Sequence, residues 1–291
     1  MSIRIALCVG GLACLGALSL VACGDDEPSL FPDDGGASGG NGSGASNGGI
    51  DTGDGGSRAD GATTGDGGCG PNLTGIVRDF RAWKDGAGHP DFERYLATQK
   101  QMVLPALGAD FKPQFNPAPE GGSHATVTSA DSFAQWYRNV PDVNQSFDFR
   151  LELVASDAGT GVSTYANSAF FPIDGRGFGD EGLKDSFGTL HNFGFTFELH
   201  TEFKYNGGEV FGFTGDDDLW TFINGKLAID LGGVHAELDD QVALDEIAAD
   251  FGLVKGQTYP LDVFHAERRT LHSNFRIDTS IEFTNCEPIV H

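Results

Sequence analysis

The sequence is poor in basic residues and in methionine. Lys and Arg number 18 against 42 Asp and Glu, which gives a formal net charge of −24. A surface with this excess of negative charge repels phosphate backbones and anionic lipid head groups, which argues strongly against nucleic-acid binding. Only two Met are present, whereas Gly reaches 43 residues and Phe 23. This composition favours many short strands joined by tight turns over a helical bundle.

Two common enzyme signatures are also missing. The chain has neither a His-Glu-x-x-His zinc pair nor a phosphate-binding loop. A glycosidase needs two carboxylates across a cleft, but the 33 acids of residues 69–291 would always provide such a pair, so finding one indicates nothing. The sequence therefore predicts a protein that is not an enzyme, and a hydrolase is the weakest of the alternatives.

The N-terminus has the pattern of an export signal. An uncharged, mostly apolar run extends from Ile5 to Ala22 and ends in Leu20-Val21-Ala22-Cys23. This ending resembles the lipobox of bacterial lipoproteins, in which the Cys is acylated and the chain is cut just before it. A transmembrane anchor is the alternative for an apolar run of this length. The resemblance predicts a signal peptide over residues 1–22 and a lipid anchor at Cys23. Gly24 follows the Cys, and this favours sorting of the predicted lipoprotein to the outer membrane and the cell surface.

The segment that follows, residues 23–68, is rich in Gly, Asp and Ser. It contains nine acids and a single aromatic residue, Phe31. Such a segment cannot bury enough apolar surface to offset the entropy of ordering it, which predicts a disordered tether. As a Gly-rich coil it would span about 35–40 Å and hold a folded module away from the membrane.

Residues 69–291 are long enough for one large all-β domain, a β-barrel or sandwich with two short helices. Apolar and polar residues alternate along three stretches, which predicts half-buried strands at 147–153, 193–199 and 275–283. Helices are predicted to begin at Pro90 and at Ser129. The first would carry Phe92, Tyr95 and Leu96 on one stripe, and the second would run to about Tyr137, with Thr128 and Asp131 at capping-box spacing.

The clearest hairpin covers residues 219–231 and turns at Asn224-Gly225, a dipeptide typical of type I′ turns. A two-residue loop at this position pairs Phe222 with Leu227 and Trp220 with Ile229. These four side chains would then share one face of the hairpin and belong to the core.

The predicted domain contains two cysteines, Cys69 near its start and Cys286 near its end. Exported proteins reach an oxidising compartment, and two cysteines allow a single pairing. We therefore predict a disulfide between them that ties the first strand to the last. Two free thiols are the alternative.

The densest polar cluster is Gly215-Asp216-Asp217-Asp218, directly before the hairpin. Three adjacent carboxylates repel one another, so the cluster should be either solvated or neutralised by a cation. A hard cation with oxygen ligands, calcium above all, suits it. Neighbouring Asp side chains on an extended backbone point apart, so two of them reach one ion only through unusual local geometry, such as a cis peptide. The alternative is a solvated acidic turn.

The stretch from Gly215 to His235 resembles the core of the fibro-slime domain. Other pieces of the chain match the same family: Arg78-Asp79-Phe80, His89-Pro90-Asp91-Phe92-Glu93, Phe170-Phe171-Pro172-Ile173-Asp174, His191-Asn192-Phe193, Phe264-His265-Ala266-Glu267-Arg268 and Ser273-Asn274-Phe275. Fibro-slime domains are similar in turn to PA14 domains, which are β-barrel modules of adhesins, glycosidases and toxins. In the PA14 pattern an Asp-Asp-Gly precedes a strand that ends in Asp-Gly-Lys. Here Asp216-Asp217 match the Asp pair, Asn224-Gly225-Lys226 match the turn, and Asp218 replaces the Gly.

This resemblance implies a calcium-dependent carbohydrate site. In sugar-binding PA14 adhesins the Asp pair is joined by a cis peptide and holds calcium, which also coordinates sugar hydroxyls, and a distant loop adds an Asn. We therefore expect metal ligands at Asp216, Asp217, Asp218 and Asn274, and ligand contacts at Asp216, Asp217, His235 and Asn274. The expected function is a surface-tethered adhesion module that binds an extracellular polysaccharide. The alternative is a structural matrix or protein-binding module with at most a structural calcium.

Other polar residues near these motifs are interpreted as structural. His265, Glu267 and Arg268 close one predicted strand, where ion pairing is favoured over catalysis. Asp230 and His235 flank Gly232-Gly233, and a bulge with a hydrogen-bonded His is favoured there over a place in the site.

Overall fold

The computed structural model describes residues 72–119, 122–156, 159–286 and 289. The predicted signal peptide, the lipid anchor at Cys23, the tether and Cys69 lie outside the described residues. Cys286 is disulfide-bonded, and its predicted pairing with Cys69 stays a prediction. The two helices of the described part are both too short to cross a membrane.

Antiparallel strands make up most of the described residues. In chain order the strands are β1 (Asn72–Phe80), β2 (Ala97–Thr98), β3 (Asn144–Glu152), β4 (Val154–Ala155), β5 (Ser163–Asn167), β6 (Phe195–Lys204), β7 (Val210–Gly215), β8 (Asp218–Ile223), β9 (Lys226–Leu231), β10 (Gly233–Val234), β11 (Leu238–Ala243), β12 (Thr258–Glu267), β13 (Phe275–Thr279) and β14 (Phe283–Asn285). The helices are α1 (Ala130–Phe133) and α2 (Leu244–Phe251). The all-β prediction with two short helices is confirmed.

Two open sheets form the body of the domain. The larger sheet has the order β3-β1-β6-β12-β8-β9, with β14 paired to β6, and the smaller has the order β11-β7-β13-β5-β4. Phe197 and Val263 of the larger sheet and Phe213 and Phe275 of the smaller sheet belong to one buried cluster. Because both sheets are open and share this core, the fold is a sandwich and not a closed barrel.

A third layer covers the outer face of the larger sheet. Side chains from the segment 81–143, among them Phe92, Phe133 and Trp136, pack against Trp220 and Phe264 of the sheet in a second buried cluster. The central strand β6 is consequently buried on both faces along most of its length. The prediction of a half-buried strand at 193–199 was wrong because period-two alternation does not reveal a covering layer.

The predicted hairpin is formed by β8 and β9, and its register differs from the prediction at one point. Asn224 and Gly225 have φ angles of 51° and 73°, as a type I′ turn requires. Phe222 pairs with Leu227 as predicted, but a bulge follows, so that Thr221 pairs with Ile229. Ile229 therefore joins the core between the sheets, whereas Phe222 faces the third layer.

Of the two predicted helices, the structure forms the one at Ser129, whereas the segment after Pro90 folds otherwise. The segment after Pro90 forms turns, in which Glu93 has a φ of 55° and Leu96 is 72% exposed. Helix α1 has Ser129 as its N-cap, as predicted, but it ends at Phe133 instead of about Tyr137, and Ser129 forms its capping box with Ser132 instead of the predicted Thr128 and Asp131 pair. The eight-residue α2, which ends at Gly252, was not predicted.

The predicted strand at 275–283 is divided between the two sheets. Strand β13 pairs with β5 and β7 in the smaller sheet, whereas β14 pairs with β6 in the larger one. Residues 280–282 carry the chain from one sheet to the other. The apolar alternation continues across this crossing because both strands bury one face in the core between the sheets.

Candidate functional site

Four acidic side chains meet where β7, β8 and β12 come together, and we call them the acidic corner: Asp216, Asp217, Asp218 and Glu267. The first two lie between β7 and β8, and Glu267 ends β12 beside the first residue of β8. Their exposed fractions are 5%, 4%, 0% and 0%. The alternative of a solvated acidic turn was therefore wrong, because the acids of the corner are buried.

Two of the predicted ligands, Asp216 and Asn274, are in direct contact. The backbone N–H of Asn274 donates to Oδ1 of Asp216 at 2.5 Å, and its side-chain amide donates to Oδ2 at 3.0 Å. Asp217 accepts from the backbone N–H of Arg268 at 2.8 Å and from that of His235 at 3.3 Å. Asp217 has a φ of 56°, and the bond that joins it to Asp216 is trans, unlike the cis bond implied by the resemblance.

Asp218 is paired with a buried arginine. Nε of Arg268 donates to Oδ2 of Asp218 at 2.6 Å, and the side chains of both residues are fully buried. The backbone N–H of Gly233 donates to the other carboxylate oxygen at 2.6 Å. Nη1 of Arg268 donates to the carbonyl of Thr126 at 2.6 Å, and its guanidinium lies 4.6 Å from the ring centre of Trp136. The structural ion pair expected for Arg268 is therefore present, with Asp218 as its acid.

Glu267 has no ion pair within the described residues. Its Oε2 is buried and has no hydrogen-bond partner. Burial, together with the charges of Asp217 and Asp216, raises the pKa of Glu267 well above its usual value. Burial also raises the pKa of Asp217 to about 8, although the charge of Arg268 opposes that shift. Of the four carboxyl groups of the corner, only that of Asp218 is ion-paired with Arg268 within the described residues.

His235, a predicted ligand contact, has partners for both ring nitrogens. Nδ1 lies 2.8 Å from the carbonyl oxygen of Ala236, and Nε2 lies 3.2 Å from that of Leu231. It touches the acidic corner only through its backbone N–H. These contacts agree with the structural interpretation of His235 and leave its predicted role in ligand binding untested.

The predicted calcium ligands are assembled only in part. The structure brings Asp216, Asp217 and Asn274 together, whereas the carboxylate of Asp218 is paired with Arg268. Within the described part of the chain, no three His, Cys, Asp or Glu side chains are arranged as ligands of one ion. The metal site therefore stays a prediction.

A surface segment that we call the covering loop, residues 268–274, lies over the acidic corner. At its start the backbone N–H of Arg268 holds Asp217, and at its end Asn274 holds Asp216. Between them, the N–H of Thr270 donates to the carboxylate of Glu93 at 2.6 Å, and Leu271 is 51% exposed. The covering loop thus contacts the corner at both of its ends.

A second buried charge cluster, the Glu198 network, was missed by the sequence analysis. Glu198 of β6 accepts hydrogen bonds from Arg78 at 2.5 Å, from Lys112 and from His200 at 2.6 Å, and His200 contacts Asp262 at 2.6 Å through its other nitrogen. Burial acts to raise the pKa of Glu198, but the hydrogen bond from His200 and the two cationic charges lower it to about 2. The only signal in the sequence was a pair of polar residues, Glu198 and His200, two apart in a Phe-rich strand.

Comparison with known proteins identifies part of the domain. Residues 179–289 match the PA14 domain family, a family of carbohydrate-binding and adhesion modules. The match includes the acidic corner and the covering loop, whereas Glu93 and the third layer precede it. The PA14 part of the resemblance is thereby confirmed, and the fibro-slime and lipoprotein parts stay predictions.

The chain is also similar to longer proteins of Dictyostelium discoideum. It is 40% identical to psiR over 204 residues, which are 67% of this chain and 20% of psiR. It is 37% identical to psiC over 209 residues, which are 69% of this chain and 40% of psiC. The chain thus spans between one fifth and two fifths of the length of these relatives.

Two PA14 domains are among the similar solved structures. The PA14 sugar-binding domain of an RTX adhesin superposes with a TM-score of 0.31 at 8% identity, covering 75% of this chain and 99% of that domain. The PA14 domain of the antifreeze protein MpAFP superposes with a TM-score of 0.21 at 13% identity, covering 44% of this chain and 74% of that one.

Proposed function

We propose that this chain is a carbohydrate-binding adhesion module that binds its glycan through calcium at the acidic corner. One observation carries the calcium part of the proposal: four buried acids meet at the corner, and among the described residues only Asp218 is ion-paired, with Arg268. A buried carboxyl group must either keep its proton or, when ionised, meet a compensating charge. A hard divalent cation with oxygen ligands supplies it. The match to the PA14 family supports the carbohydrate part.

The residues of the corner suit such an ion with one change to the predicted set. Asp216, Asp217 and the side-chain carbonyl of Asn274 would hold the ion. The unpartnered Oε2 of Glu267 would be a further oxygen ligand in place of Asp218. When bound, calcium offers coordination positions to vicinal sugar hydroxyls. Asp218 stays with Arg268, and the covering loop orients Asp216 and Asp217 through its backbone N–H groups.

A calcium titration with and without a chelator tests the ion. We expect calcium to raise the melting temperature of the wild-type protein and to leave that of Asp217→Asn unchanged. The melting temperature of the variant without calcium is its own reference, because Asn removes a buried acid whose pKa is raised but keeps only one of the two oxygens that accept from Arg268 and His235. Asp148→Asn removes an equal charge from an exposed site on β3 and should respond to calcium as the wild type does. A wild-type melting temperature that does not change with calcium would contradict calcium binding.

A glycan array, read with and without chelator, tests the carbohydrate. We expect binding that is lost in chelator and in Asp217→Asn but retained in Asp148→Asn. Binding that survives both treatments would refute the calcium-mediated mechanism and leave adhesion intact. Release of reducing ends from a bound polysaccharide would instead favour a hydrolase over the proposed non-enzymatic role.

The second candidate is a structural or protein-binding adhesion module in which calcium only stabilises the fold. The observation in its favour is the burial of the corner, where Asp216 and Asp217 are 5% and 4% exposed beneath the covering loop. In that case calcium would raise the melting temperature while no glycan bound to the array. The two measurements together therefore separate the candidates.

We further propose that the module is displayed at the cell surface by a lipid anchor at Cys23, with residues 23–68 as its tether. The support is the lipobox-like ending of the apolar run in the sequence. Two or more acyl chains would make the attachment stable. We expect Cys23→Ala to move the protein from the membrane fraction to the soluble fraction of its host. A variant that stays with the membrane would contradict the anchor.

A further inference from the structure

A basic and aromatic surface lies directly beside the covering loop. We call it the arginine patch, and it consists of Trp83, Arg94, Tyr95 and Arg269. The guanidinium of Arg94 lies 5.3 Å from the ring centre of Trp83 and 5.2 Å from that of Tyr95. Nη1 of Arg269 donates to the backbone carbonyl of Tyr95 at 3.4 Å, which brings the second arginine to the same place.

The backbone around the arginine patch is fixed by several hydrogen bonds. The N–H of Trp83 donates to the carbonyl of Phe92 at 3.1 Å, and the N–H of Glu93 donates to the carbonyl of Arg268 at 2.7 Å. The hydroxyl of Tyr95 lies 2.9 Å from that of Thr128. These contacts join three separate segments of the chain, so the patch is held in one arrangement before any ligand arrives.

Neither arginine of the patch is paired with an acid. Within the described residues no carboxylate lies within 4 Å of the guanidinium of Arg94 or Arg269, whereas Arg81, Arg138 and Arg276 each have one at 3.6, 2.5 and 2.6 Å. The acid next to Arg94 in the chain, Glu93, is engaged with Thr270. The two arginines thus bring two cations to one place in an acidic chain, although the charge of Arg269 also acts on Glu93.

We propose that the arginine patch binds an anionic group on the glycan, a carboxylate or a sulfate, so that the ligand class is an acidic polysaccharide. An arginine spread over aromatic rings keeps its N–H edges free for bidentate contact with a planar carboxylate. Two exposed apolar side chains border the patch, Leu96 at 72% and Leu271 at 51% exposure. They provide an apolar surface for the C–H face of a sugar ring.

The position of the patch connects it with the acidic corner. The covering loop begins at Arg268, whose backbone N–H holds Asp217, and the next residue is Arg269 of the patch. A glycan whose hydroxyls reach the corner would therefore bring a neighbouring residue of its chain to Arg94 and Arg269. This inference rests on the proposed function in one respect, namely that the ligand is a glycan.

Short matched oligosaccharides test the inference without the gel formation of long acidic polymers in calcium. The probes are a cello-oligosaccharide, the same oligosaccharide with its primary alcohols oxidised to carboxylates, and the same one carrying sulfate esters. We expect the wild-type protein to bind at least one anionic form about tenfold more tightly than the neutral form, because a charge-assisted bidentate contact is gained. The oxidised and sulfated probes identify which anion is preferred.

Substitutions at Arg94 test whether the preference for anionic probes arises at the arginine patch. Arg94→Gln should abolish the preference for the anionic probe, and Arg94→Lys should retain only part of it. Arg150→Gln is the matched control, because Arg150 is also exposed and lies on β3 opposite Thr74, near the far end of β1. Both sites are exposed, so the melting temperatures of the variants should equal that of the wild type.

The outcomes distinguish this inference from the function on which it rests. Equal binding of neutral and anionic probes would overturn the inference and leave carbohydrate binding intact. A preference that persists in Arg94→Gln would overturn the assignment to the patch. Binding of no oligosaccharide would overturn the inference, whereas the glycan array decides whether the chain binds any carbohydrate. An oligoglutamate peptide that binds as tightly as the anionic sugar would overturn the assignment to a glycan.

Discussion

Arg268→Met is expected to lower the free energy of unfolding by about 3–5 kcal/mol, because it breaks a buried ion pair from one side. Met fills much of the same volume, so the loss should reflect charge more than cavity formation. The substitution leaves Asp218 buried without its cation, and it removes the hydrogen bond to the carbonyl of Thr126 and the contact with Trp136. Urea denaturation measures the change.

A surface arginine provides the control for this experiment. Arg138 pairs with Asp110 at 2.5 Å, but the two side chains are 38% and 48% exposed. Solvent screens such a pair, so Arg138→Met should cost at most about 1 kcal/mol. Equal losses in the two variants would show that burial does not set the strength of the pair. In that event, the argument that the buried acids of the corner need a compensating charge would also fail.

The loss in Arg268→Met should also depend on pH. The charge of Arg268 opposes the rise in the pKa values of Asp217 and Asp218 that burial causes. Without that charge the acids of the corner should hold their protons to higher pH, so the variant should lose less stability near pH 5 than near pH 8. A loss that is the same at both values would indicate that the side chain acts through packing.

The strand pattern could be predicted from the sequence wherever the signal was local. Asn224-Gly225 encodes its own positive φ angles, so the turn was predictable without knowledge of the rest of the fold. The bulge next to it was not, because it depends on which core each face of the hairpin meets. The third layer was also hidden, because the segments that supply Phe92 and Trp136 were predicted as helices but form mostly turns.

The acidic corner shows the same division between local and distant information. Three consecutive acids were visible in the sequence as a cluster that requires compensation. The compensating group, Arg268, comes from a strand end fifty residues further along the chain, and its partner carbonyl at Thr126 comes from the third layer. Acids are seldom buried, so their burial could not be inferred from composition. Only the resemblance to a known family suggested that Asn274 meets Asp216.

Glu198→Gln is expected to cost about 3–5 kcal/mol, because the acid of the Glu198 network compensates the charges of Arg78 and Lys112. Gln has nearly the same shape, so the buried cations would remain in place without their anion. Glu202→Gln makes the same substitution on the same strand, at a half-buried residue, and should change stability by no more than about 0.5 kcal/mol. Chemical denaturation of both variants measures the difference.

The pH dependence of this loss identifies its origin. The pKa of Glu198 falls to about 2 in the folded protein, so its contribution to stability is present above the usual glutamate pKa and is lost as the pH falls towards 2. The stability of the wild type should therefore approach that of Glu198→Gln below pH 4. The pKa of His200 is raised by its hydrogen bonds to Asp262 and Glu198, against the opposing effect of burial. Its contribution is present in acid and is lost as the pH rises through that pKa.

The same experiment separates charge from packing in the Glu198 network. If the network stabilises the fold through charge, the gap between wild type and Glu198→Gln should be widest where Glu198 is ionised and His200 is protonated, which is in mildly acidic solution. A gap that stays constant from pH 3 to pH 8 would mean that shape alone matters. The charged groups facing Glu198 come from β1, from the third layer through Lys112, and from β6 and β12 through His200 and Asp262. Loss of the network should therefore loosen the third layer that carries the arginine patch.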